Sequence, residues 1–324
     1  MNTISIKNLK KYYSVDQKDP GLWGSIKSLF YRKYLDVKAV DGISLEIKEG
    51  ELVGFIGPNG AGKTTTLKVL SGLLYPTSGQ VQVLGHQPFK RQPEFQKQFA
   101  LVMGQKNQLW WDLPAWESFI LNKEIYEIPD AEFEKTVKSL ASMLEIEDVL
   151  KVAVRKLSLG QRMKAELIQA LLHQPKVLLL DEPTIGLDVV AQKNMRDFIR
   201  EYNQKYQATI ILTSHYMMDV QSLCKRVIII DKGVILYDGL LESIVEKFSS
   251  HKIINVDFNV KVDRSKLESI GEVKEFVGDH ASIHVGRNEA AKKTSKLLEK
   301  FPVSDLTIEE PPIEEIIRQV FSHE

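Results

Sequence analysis

Residues 51–71 read ELVGFIGPNGAGKTTTLKVLS, and this stretch decides the fold. Its opening, ELVGFIG, is apolar almost without interruption, as in a strand buried on both faces. Its end has the residues of a helix, over about 64–71. Between them GPNGAGKT (57–64) has the spacing Gly-x-x-x-x-Gly-Lys-[Ser/Thr], in the strand–loop–helix setting that this spacing requires. Small residues there let backbone N–H groups converge on phosphate oxygens, and the helix N-terminus adds partial positive charge. The expected phosphate site comprises Gly57, Pro58, Asn59, Gly60, Ala61, Gly62, Lys63, Thr64 and Thr65. Lys63 is expected to reach the terminal phosphates, and the Thr64 hydroxyl to ligate Mg2+.

Working outward, VLLLDEPT (177–184) supplies the matching acids. Asp181 ends a second buried strand, where a carboxylate can hold the Mg2+ shell, and Glu182 is placed to orient or deprotonate an attacking water. ATIILTS (208–214), RVIIID (226–231) and VILYDG (234–239) read as further strands, the last two joined by a Lys-Gly turn. ISI (4–6) and ISLEI (43–47) alternate, as half-buried antiparallel strands do, and 114–146 has helical spacing. The fold class is therefore α/β: a P-loop NTPase with a mostly parallel sheet and an N-terminal antiparallel β layer. After about residue 248 the order becomes β-α-β-β-α-β, closing with a helix past Pro311 and Pro312. That order predicts a small appended α+β domain of the split type.

The bulk properties narrow the function. A length of 324 residues favours two domains. A formal net charge of zero argues against a general nucleic-acid binder. The single cysteine, Cys224, excludes an internal disulfide and sits where a small buried hydrophobe fits. No signal peptide is evident, and no run of about 18 apolar residues occurs, so a membrane role needs a separate anchor.

Further motifs follow in order: KLSLGQRMKAELIQALL (156–172), GLD (186–188) and LTSHYM (212–217). With the phosphate loop and the Asp-Glu pair they resemble the nucleotide-binding subunit of an ABC transporter, over about residues 1–245. The resemblance implies ATP and Mg2+ as cofactors and a dimer, either of this chain or with a similar ATPase subunit. In it, Ser158, Leu159, Gly160 and Gln161 face the ATP of the opposite subunit; Leu159 departs from the glycine usual there. His215 resembles the γ-phosphate sensor, and Asp188 the loop that crosses the dimer interface. Tyr13, with Tyr12 as the alternative, and Val40 fall where the family contacts adenine. Gln105 of ALVMGQ resembles the glutamine that joins the Mg2+ shell and hinges a helical subdomain, about 106–165. The family also implies multi-spanning membrane permease subunits as partners, no nucleic acid, and a peripheral place on the cytoplasmic side of the cell membrane.

Three features lie outside the shared core. Residues 14–39 form an insertion in which Leu22, Ile26, Leu29 and Phe30 share one helical face with a basic margin. That predicts a helix lying on the chain's own β layer or against a membrane. In NQLWWDL (107–113), one of Trp110 and Trp111 is expected in the core and the other on the surface. Residues 246–324 resemble the accessory tails of exporter ATPases; His251, His280 and His284 are expected to be scattered rather than ligating. Together these favour an ATPase energising export through separate membrane subunits. The alternative is a soluble ABC-type ATPase not coupled to transport, although the double cassettes or long coiled coils of such relatives are missing.

Overall fold

The computed structural model describes residues 2–17, 33–104, 106–249 and 251–322. They form two compact units, 1–238 and 239–324. In the first, β3 (Leu52–Ile56) lies between β7 (Thr209–Thr213) and β8 (Arg226–Asp231), parallel to both. Beyond β7 come β6 (Val177–Asp181) and β5 (Phe99–Met103), also parallel, and β9 (Val234–Leu240) borders β8. Every residue of β6 and β7 is buried, which is why these strands are runs of Val, Leu and Ile rather than alternating ones.

A second, three-stranded sheet has the order β2 (Lys33–Lys48), β1 (Asn2–Gln17), β4 (Ser78–Val83) and is antiparallel. Ile4, Ile6, Ile43, Leu45 and Val81 from this layer join Phe55 and Leu67 in one core. The strands run further than the alternating pattern reached, pairing as far as Gln17 with Lys33. Residues 14–17 and 33–39 of the expected insertion are thus ladder strands, not helix. The expected helical face at Leu22–Phe30 lies outside the described residues.

The helical stretch divides into α2 (Ala115–Tyr126) and α3 (Asp130–Leu144), following α1 (Lys63–Leu70) of the phosphate loop. Glu127 in the left-handed region and Pro129 ahead of α3 end the first helix and start the second. Leu109, Phe119 and Phe133 are buried here, with Trp116 edge-on to Phe133. Trp110 and Trp111 are 49% and 48% exposed, so the expectation that one of them is buried is corrected. The reason is a tied-down loop: Trp110 N–H donates to Ser118 Oγ and Arg155 N–H donates to the Trp111 carbonyl. That backbone bonding holds the loop while the core is filled by other rings. The unit continues through α4 (Leu159–Leu171), α5 (Val189–Tyr206) and α6 (Met217–Leu223).

The second unit has the antiparallel order β11 (Glu272–Val277), β12 (His280–Gly286), β10 (His251–Phe258), β13 (Val303–Glu309). Ile254, Val256, Ile283 and Leu297 build its core beneath α8 (Ala290–Lys300). Its α7 (Leu241–Phe248) packs on α9 (Ile313–Ser322), and the division therefore falls after Asp238, ahead of the expected boundary at 245. His251 and His284 are not scattered, as expected, but stacked, with ring centroids 4.5 Å apart. Their strands are adjacent in space though far apart in sequence. Among the described residues no helix is long and apolar enough to cross a membrane.

Candidate functional site

The phosphate loop begins where β3 leaves the sheet. Gly62 takes a φ of +107°, and a Cβ there would stand 2.3 Å from the Ala39 carbonyl oxygen. Only glycine fits this approach. The Lys232-Gly233 turn buttresses the loop from outside: Gly233 N–H donates to the Ala61 carbonyl at 3.0 Å, and Asp41 N–H to the Gly233 carbonyl at 2.8 Å. Pro58, Asn59 and Gly60 are exposed at the tip, while Ala61, Gly62 and Lys63 are buried and Gly57, Thr64 and Thr65 half-buried.

Lys63 Nζ folds back to donate to the Gly57 and Pro58 carbonyls, at 2.7 and 3.0 Å. Burial lowers its pKa, and the charges of Glu182 and Asp181 oppose that shift. The ammonium is thus held by neutral carbonyls that a phosphate oxygen can replace.

Across the loop, Thr64 Oγ1 donates to Asp181 Oδ2 at 2.8 Å, and Thr213 Oγ1 to Asp181 Oδ1 at 2.7 Å. Glu182 N–H lies 3.1 Å from both the carbonyl and hydroxyl oxygens of Thr213. Glu182 Oε1 is 2.5 Å from His215 Nε2. Thr64, Asp181, Thr213, Glu182 and His215 therefore form one continuous line, drawn from α1, β6, β7 and the turns after β6 and β7. A hydroxyl beside a carboxylate is a hard-oxygen donor set suited to Mg2+.

Behind the line, Asp219 of α6 is fully buried. It accepts from Thr184 and from Ser214 Oγ on Oδ2, and from Arg196 Nη1 at 2.9 Å on Oδ1. Thr184 follows Glu182 by two residues and Ser214 precedes His215, so this carboxylate holds both turns. Neither Thr213 nor Asp219 was singled out by the sequence: Thr213 lies within LTSHYM, where the histidine carries the resemblance, and no local motif marks Asp219. The only signal was a threonine ending a buried strand and an acid four residues past a histidine.

Gly104 N–H donates to the Asp181 carbonyl, and a Cβ on Gly104 would stand 2.2 Å from the Glu182 carbonyl oxygen. The segment leading to Gln105 thus lies against the acids; Gln105 itself lies outside the described residues. On β1, Lys11 pairs with Val40, whose Cγ2 faces Gly62 at 3.4 Å from that glycine's ideal Cβ position. Tyr13, two residues on from Lys11, shares that face and lies half-buried under the Lys11 ammonium. Tyr12 is on the other face, its hydroxyl donating to Asp41.

The signature residues stand at another place in the chain. Ser158 caps α4 through a reciprocal pair with Gln161, its Oγ accepting from Gln161 N–H at 3.2 Å. Leu159 is 38% exposed and lies over Gly186, with Cδ2 2.8 Å from the position of a Cβ there. Gly160 faces Ala191, and Asp188 caps α5 by accepting from Ala191 N–H at 2.8 Å. The next two residues, Val189 and Val190, are 78% and 70% exposed.

A phosphate loop opening α1 beside a strand-end Asp-Glu pair, with an antiparallel layer and a helical region over α2 and α3, defines a P-loop ATPase cassette. Residues 40–185 match the family described as ABC transporter, and 250–309 match the EvrA-like ABC transporter, C-terminal domain. The chain is 35% identical over 224 residues to the ABC transporter ATP-binding protein NatA of Bacillus subtilis, covering 69% of this chain and 91% of the relative. It is 30% identical over 259 residues to the Nod factor export ATP-binding protein I of Burkholderia pseudomallei, covering 80% and 84%. A solved ATP-binding subunit of an ABC transporter matches with a TM-score of 0.64 and 25% identity, over 76% of this chain and 93% of that one. This chain belongs to the ATP-binding proteins of the ABC transporters.

Proposed function

We propose that this chain hydrolyses ATP as one half of a closed dimer and so energises export through separate membrane subunits, from the cytoplasmic side of the membrane. The observation that carries the reading is the unbroken line Thr64–Asp181–Thr213–Glu182–His215. The loop N–H groups of 57–65 bind the phosphates, and Lys63 exchanges the Gly57 and Pro58 carbonyls for phosphate oxygens. Tyr13 and Val40 hold the adenine. Thr64 and Asp181, with Gln105, would hold Mg2+, which would supply charge neutralisation for the phosphates. Glu182 orients the attacking water and accepts its proton. His215 fixes the Glu182 carboxylate and presents a ring nitrogen to the transferring group. Ser158, Leu159, Gly160 and Gln161 close over the partner chain's nucleotide, and Asp188 with the exposed Val189 and Val190 supports that dimer face.

Export, rather than import, is supported by the likeness to the Nod factor export protein. Glu182→Gln tests the chemistry: bound nucleotide is retained, hydrolysis is lost, and an ATP-dependent dimer accumulates on size exclusion. Near-normal turnover would overturn the assignment of Glu182. Direction is read by ATP-driven substrate flux in inside-out vesicles carrying the chain with its membrane subunits.

A further inference from the structure

The second unit carries a side-chain cluster that the ATPase reading does not use. In the β10–β12 ladder Ile253 pairs with His284, which places His251, two residues back along β10, on the same face as His284. Their rings stack at 20°. Glu315, in the first turn of α9, brings Oε1 to 3.5 Å from His251 Nε2. One donor atom from each of His251, His284 and Glu315 lies within 4.8 Å of the other two.

We propose that His251, His284 and Glu315 bind a divalent transition-metal cation such as Zn2+. Two imidazole nitrogens with one carboxylate suit Zn2+, Co2+ or Ni2+, not the oxygen-seeking Mg2+ or Ca2+. A second observation points the same way. His251 Nε2 is buried and makes no hydrogen bond among the described residues, and a buried nitrogen left so needs a partner. A cleft lined by Glu272, Lys274, Val285 and Gly286 opens beside the three side chains and leaves a fourth position to water. Lys274, which lines this cleft, is already paired with Glu272 at 2.8 Å.

Ligands around a tetrahedral ion with bonds of about 2.0–2.2 Å stand roughly 3.3–3.6 Å apart. The cluster therefore has to draw in by about an ångström, and the stacked rings must turn so that both nitrogens face one point. Such a bond would tie α9 to β10 and β12, joining the last helix to the sheet through an ion. His280 is a built-in contrast, because its Nδ1 is already occupied by Asp257 at 2.7 Å.

The test uses the full chain, stripped with chelator and titrated with zinc chloride in the absence of nucleotide. Calorimetry is expected to show one saturable ion per chain, with a rise in melting temperature, and Co2+ to give the visible absorption of a tetrahedral site. His251→Ala, His284→Ala and Glu315→Gln should each weaken Zn2+ by about tenfold or more, and His280→Ala should not. Glu315→Gln is isosteric at a partly solvated position, so its effect is readable even where a histidine variant folds poorly. Absence of saturable Zn2+ binding overturns the site. So does binding unchanged by Glu315→Gln and by either histidine variant that folds.

Discussion

Glu182 holds a backbone φ of +57°, in the left-handed region that non-glycine residues avoid at a cost on the order of 1–3 kcal/mol. Its N–H bonding to Thr213 and the contact of its carboxylate with His215 keep it there. In the proposed function His215 both donates to the reacting group and supports Glu182. Removing one transition-state donor costs about 2.7–4 kcal/mol, so His215→Ala should slow hydrolysis about a hundredfold or more while nucleotide binding persists. Single-turnover kinetics against equilibrium nucleotide binding separates the two, and unchanged turnover would make His215 a spectator. The residues that spacing could reveal were those within one turn or one strand end, Gly57 to Thr64 with Asp181 and Glu182, whereas Ser158 to Gln161 came from the family resemblance. Thr213, Asp219 and the contact of the Lys232-Gly233 turn with the phosphate loop were not legible, because each acts across strands that only the folded sheet brings together.

Helix α4 carries the signature at its N-terminus and, two turns further on, Glu166, which is 1% exposed. Burial raises the Glu166 pKa to about 7, against the pull of Arg162 and the Gln108 backbone. A carboxyl raised from 4.5 to about 7 is protonated in the folded chain across a window where the unfolded chain has ionised. The stability it confers is full below pH 4.5 and is lost as pH rises to about 7. At 1.36 kcal/mol per unit the loss is on the order of 3 kcal/mol, and Glu166→Gln should remove that slope. Urea unfolding of both proteins at intervals from pH 5 to about 8 checks it, since a slope unchanged in the variant would assign the pH dependence elsewhere. At this scale periodicity found most helices and strands. It did not find the extension of β1 and β2 through 14–17 and 33–39, because exposed Tyr34, Leu35 and Val37 give no alternation to read.

For the whole molecule the unused surface is more informative than the core. Trp110, Trp111, Leu113, Ile120, Leu121 and Ile125 are all large, apolar and exposed, and all fall between the Gln105 segment and the end of α2. The neighbouring cleft, lined by Leu73, Leu101, Gln108, Tyr126 and His173, runs back to β5 and α4. Isolated apolar residues on a surface mean little, but a concentration of this kind marks a binding face, and tryptophan is the side chain most often dominant in one. The position matters as much as the chemistry, because a partner seated here would press on the chain two steps from Asp181, through Gly104 and its hydrogen bond. That is how docking of a membrane subunit is coupled to the nucleotide in the proposed function. Trp111→Ala should therefore lower affinity for the membrane subunits by about 2 kcal/mol or more, the loss expected of an interface hot spot. It should leave basal ATP hydrolysis by the isolated chain unchanged, because the ring touches none of the line from Thr64 to His215. Co-purification with the membrane subunits, set beside the ATPase rate of the chain alone, reads both quantities. Loss of basal activity with assembly intact would instead assign Trp111 to the folding of the helical region.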